Sequence, residues 1–88
     1  MGLSAALGEA MTFTGGKADQ TNFNAYQILR MRQAPKVEVL LFDSPDAPVG
    51  GAGEPGVPGV APALANAVFD ATGKRVRTLP FASQGFTV

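Results

Sequence analysis

Residues 43–73 read DSPDAPVGGAGEPGVPGVAPALANAVFDATG, and the change of character at Val60 decides the fold. From Asp43 to Gly59 almost no side chain can build a core. This is a loop of seventeen residues, against the ~4–6 that usually join two elements, and loops of that length in a compact domain tend to be functional or disordered. From Val60 the pattern turns helical, with Ala61, Leu64, Ala65, Val68 and Phe69 at three- and four-residue intervals. Pro62 suits a first helical turn, Gly73 is a stop, and Lys74 and Arg75 stand at the negative end of the dipole. A helix is predicted over Val60–Thr72.

Upstream, Val37–Phe42 (VEVLLF) alternates and then runs apolar between Pro35 and Ser44-Pro45, which predicts a strand buried on part of both faces. Downstream, Arg75–Leu79 alternates as a short strand before Pro80, and Ala82–Val88 reads as a tail. At the other end, Leu3, Ala6, Leu7 and Ala10 have helical spacing, so a short helix lies within Met1–Ala10, although no entry turn precedes Ser4. Gly15-Gly16, between Met11–Thr14 and Lys17–Gln20, signals a two-residue β-hairpin. Thr21–Gln33 fits neither period. The expected architecture is α+β: short helix, β-hairpin, strand, long Gly/Pro loop, helix, short strand, forming one small domain or fragment over residues 1–88.

Composition removes several kinds of chemistry. The 88 residues contain no Cys and no His, so zinc fingers, iron–sulfur ligation, thiol nucleophiles and histidine acid–base catalysis are excluded within this chain. Seven basic residues balance seven acidic ones, and the only basic cluster is Lys74, Arg75 and Arg77, which speaks against a nucleic-acid partner. No apolar run approaches the ~20 residues of a membrane span, so no membrane partner is expected. Asp43 and Asp46 belong to a turn-forming DSPD run with no third ligand nearby, and no metal ligands are assigned. Phe13, Phe23, Tyr26, Phe42 and Phe69 read as core or interdomain contacts.

The chemically unusual run is Gly50-Gly-Ala-Gly-Glu-Pro-Gly56. Small residues let the backbone approach another group closely, and a lone carboxylate, Glu54, is held beside a rigid proline. Amides of Gly51, Ala52 and Gly53 could face anionic or oxo atoms. The same composition also describes a flexible linker carrying one solvated glutamate.

The run GGAGEPGVPGVAPALANAVFDATGKRVRTLP, together with GLSAALGEAMTF and GGKADQTNFNAYQILRM before it, resembles the C-terminal segment of the large, molybdopterin-binding subunit of the molybdenum hydroxylases. Within that xanthine oxidase/aldehyde oxidase superfamily it is most similar to the isoquinoline 1-oxidoreductase beta type. The resemblance spans nearly the whole chain; Gly59 departs from the family's usual residue without touching a proposed role. It implies that Glu54 is the catalytic base, drawing a proton from a metal-bound hydroxide that attacks an electron-poor carbon of an N-heterocycle or aldehyde. It implies that Ala52 and Gly53 line the molybdopterin side of the pocket. The implied cofactor is molybdenum-molybdopterin in the complete enzyme, with none bound to this chain alone. The implied partners are the remainder of the large subunit and an iron–sulfur small subunit. Those family subunits are several hundred residues long, so the isolated chain is expected to be inactive.

A rival reading makes the chain a truncated, non-catalytic structural module that acts through homo-oligomerisation. Either way the thin core predicts association, as a homodimer in the simplest case.

Overall fold

The computed structural model describes residues 1–86; Thr87 and Val88, the end of the expected tail, lie outside the described residues. Helix α1 spans Gly2–Leu7, strands β1 and β2 are Phe13–Thr14 and Lys17–Ala18, and helix α2 spans Gly56–Thr72. Single 3-10 turns cover Met31–Gln33 and Phe81–Gln84.

The hairpin is set by its turn. Gly15 and Gly16 both have positive φ, 57° and 77°, the left-handed pair that matches strand twist and that a Cβ would resist. Phe13 pairs with Ala18 and Thr14 with Lys17. Beyond the ladder the Thr12 hydroxyl donates to Asp19 Oδ2 at 2.6 Å and the Thr12 N–H donates to Gln20 Oε1 at 2.8 Å, closing the open end of the ribbon.

Helix α2 begins four residues before the expected Val60, so the loop is shorter than Asp43–Gly59 and Pro62 is interior. Pro58 falls in the first turn, where backbone N–H groups have no intrahelical acceptor, so the missing donor there costs nothing. Pro62, by contrast, has no N–H to offer the Pro58 carbonyl. Gly73 ends the helix at φ 70°, its N–H donating to the Phe69 carbonyl at 2.7 Å.

Helix α1 packs on α2 and on the Phe81–Gln84 turn. The buried apolar side chains are only Ala6, Val76 and Phe81 among the described residues, with Phe86 meeting the Phe81 ring edge-on at 5.7 Å between centroids. Ala61, Leu64, Ala65 and Val68 form the half-buried stripe of α2. The tail reading of Ala82–Val88 is thereby corrected up to Phe86: Phe81 is the most deeply buried large side chain and needs its following turn to close over α1.

Two expected strands are not formed. Arg75–Leu79 has no partner strand; instead Arg75 stacks 3.5 Å from the Phe69 ring centroid and bonds Asn66 Oδ1, which folds this segment back along α2 while Val76 is buried. Val37–Phe42 forms no strand and stays unpaired, because the described residues supply no second strand to accept its ladder. Of the five aromatics read as core or interdomain contacts, Phe13, Phe23, Phe42 and Phe69 are exposed here and Tyr26 is half-buried.

Candidate functional site

Gly2 is where α1 meets the first turn of α2. A Cβ built there would sit 2.9 Å from the Val57 carbonyl oxygen and 3.0 Å from Val60 Cγ2, so only glycine lets α1 reach the first turn of α2. Beside this contact lies an open groove of about 830 Å³, between α1, the Ile28–Pro35 segment and the glycine-rich run. Its wall includes Ala52 and Gly53, two of the residues singled out from the sequence. Both are exposed, and a side chain added at Gly50, Gly51 or Gly53 would meet nothing within 4 Å. The backbone of this run is bare to an incoming group.

Glu54 does not line that groove. It is exposed, its carbonyl accepts the Val57 N–H at 3.0 Å, and its side chain has no hydrogen-bond or ionic partner among the described residues. Two residues separate Val57, held against Gly2, from Glu54, so the contact between the helices fixes where the chain leaves the α2 N-terminus. Among the described residues no helix is long and apolar enough to cross a membrane.

The polar groups that organise the groove are Ser4 and Glu9, which sequence reading did not single out. Ser4 is buried and its Oγ accepts the Leu29 N–H at 3.0 Å, tying α1 to the opposite wall. The Tyr26 hydroxyl donates to Glu9 Oε2 at 2.7 Å. Hydrogen bonds from Ser4 and then Tyr26 hold the Glu9 carboxyl below its ordinary range, while the bond to Glu9, aided by desolvation, raises the Tyr26 phenol. The available signal was slight: a serine beside the apolar stripe of GLSAAL, and one acid just past Gly8.

No family model matches the chain, and no solved structure does. Curated relatives do. A membrane-bound aldehyde dehydrogenase of Gluconacetobacter polyoxogenes, named for pyrroloquinoline quinone, is 38% identical over 79 residues, covering 90% of this chain and 10% of its own. The isoquinoline 1-oxidoreductase beta subunit of Brevundimonas diminuta is also 38% identical over 79 residues, with the same coverage. The molybdenum-binding subunit of an aldehyde oxidoreductase from Escherichia coli is 38% identical over 88 residues, covering 91% of this chain and 12% of its own. This chain is thus similar, along nine-tenths of its length, to one segment of proteins named as an aldehyde dehydrogenase, an isoquinoline 1-oxidoreductase subunit and the molybdenum-binding subunit of an aldehyde oxidoreductase. It spans about a tenth of the length of the curated relatives it matches.

Proposed function

We propose that residues 1–88 form one segment of the catalytic subunit of a molybdopterin-dependent oxidoreductase that hydroxylates an aldehyde or N-heterocycle carbon, with Glu54 as its base. The observation that carries this reading is the relation along nine-tenths of the chain to subunits named for such oxidations, one of them for binding molybdenum. The bare Ala52-Gly53 backbone supports it chemically: small residues with accessible amides suit one wall of a site for a large anionic cofactor.

The molybdenum cofactor, when bound, supplies the two-electron oxidising power and activates water. This chain's residues have simpler tasks. The Ala52 and Gly53 amides would hold one side of that cofactor by donating to it. Glu54 Oε accepts the proton released as the nucleophile attacks, and Pro55 restricts the backbone that carries it. Other parts of the subunit exclude water around Glu54, and the redox partner is an iron–sulfur subunit. By itself the segment has no turnover.

The test is to express the 88 residues with the remainder of a large subunit and its small subunit, as wild type and as Glu54→Gln. The wild-type assembly should contain molybdenum and turn over. Glu54→Gln should assemble and hold metal equally well, yet lose about 10²–10⁴ in kcat. Undiminished turnover by Glu54→Gln removes the base assignment; an assembly with bound quinone in place of molybdenum removes the cofactor assignment.

A further inference from the structure

The segment Lys36–Phe42 has no regular secondary structure, forms no backbone hydrogen bond among the described residues, and carries apolar residues at both odd and even positions. Val37, Val39 and Leu41 alternate with Leu40 and Phe42, and all five are at least 72% exposed. Its one polar feature is an exposed ion pair of Lys36 with Glu38 at 2.7 Å, at the segment's start. A solvated loop has no physical reason to carry this pattern; a strand with material on both faces does.

The molecule as a whole is short of material. Its radius of gyration is 16.5 Å, where a compact chain of this length has about 12 Å. Its accessible surface is 7368 Å², where a compact chain of this mass has about 4,900 Å². The excess, on the order of 2,500 Å², is what one partner of a large obligate interface buries.

We propose that Lys36–Phe42 docks by strand addition onto an exposed sheet edge in the nine-tenths of the large subunit that this chain does not span. The inference rests on the catalytic-subunit reading above. Backbone N–H and C=O groups give the pairing, and layers above and below cover the two apolar faces. A second copy of this chain does not meet that need. It could pair one edge, but with three buried apolar residues among the described residues of each copy it has no layer to lay over either face.

The probe is the Brevundimonas diminuta beta subunit lacking its matched segment, soluble and helical by circular dichroism, mixed with the 88-residue chain. Amide exchange across Val37–Phe42 should slow by roughly a hundredfold or more in the complex, and remain fast in the chain alone. Val39→Pro and Leu40→Pro remove N–H groups that face opposite edges of a strand. At least one of the two should weaken the complex more than tenfold while α2 helicity is retained. The proposal is overturned if no complex forms, if the amides exchange as fast in the complex as in the chain alone, if neither proline weakens it, or if the chain protects these amides by dimerising alone. Exchange is read without turnover, so its failure is separate from failure of the Glu54 assignment.

Discussion

The 21 residues of 35–55 and the 31 of 56–86 lie side by side in one chain and fold by opposite means. The second stretch ends its helix on a left-handed glycine, folds Arg75 back over Phe69, and buries Val76 and Phe81. Each contact is made over short sequence separations or with α1. The first stretch has comparable apolar content around Val37–Phe42 and buries none of it. Burial along this chain therefore follows the supply of partners more closely than it follows hydrophobicity, and 35–55 is the part that finds no burying partner among the described residues.

The sharpest way to break that contrast is at Phe81. Phe81→Ala removes the largest buried side chain, at a cost of roughly 3–5 kcal/mol, which a core this thin cannot absorb. Loss of most α2 ellipticity at 25 °C is expected; a cooperative melt close to wild type would show that 56–86 does not depend on this cluster. Next is Gly2→Ala, where the new methyl meets a backbone oxygen that has no rotamer to yield. About 1–3 kcal/mol should be lost, read as a lowered Tm. Ser4→Ala should follow at about 1–3 kcal/mol, since the Leu29 N–H loses its acceptor; increased exchange at Leu29 would localise the effect.

The smallest effect concerns pH. Glu9 is depressed in the folded chain, so its contribution is whole above the ordinary carboxylate range and lost as pH falls through the lowered folded value. Tyr26 is raised, so its contribution is whole below the ordinary phenol value and lost as pH rises through the higher folded one. Tyr26 fluorescence should show the 22–26 turn held against α1 between those limits, and Glu9→Gln should flatten the acid side. Both groups are near solvent, so global stability changes little. By contrast, Val39→Asp in 35–55 should leave the melt unchanged, because Val39 is exposed and nothing among the described residues buries it.

The same contrast explains what could be read from the letters alone. The Gly15-Gly16 turn and the body of α2 depend on neighbours in sequence, and glycine pairs and three-four spacing report them directly. The start of α2 is hidden in the sequence because Gly56, Pro58 and Gly59 are poor helix formers in an interior, whereas a first turn asks for no N–H donors. Phe81 carries no periodic signal, standing alone after Pro80, so its burial could be seen only once α1 was laid across it. Val37–Phe42 has a strand's alternation, but a ladder needs a second chain segment, and no pattern within six residues can provide one. Of the site, the glycine-rich run announced itself by composition. Ser4 and Glu9 act through a tertiary contact with residues 26–29 that local sequence does not encode.

The missing side chain at Gly2 has a consequence for chemistry that it never touches. Since Val57 rests against that bare α-carbon and donates its N–H to the Glu54 carbonyl, the backbone that carries Glu54 is placed from α1. A single methyl at position 2 would act as a shim, tilting α2 and shifting the carboxylate proposed above as the base while every side chain of the glycine-rich run stays intact.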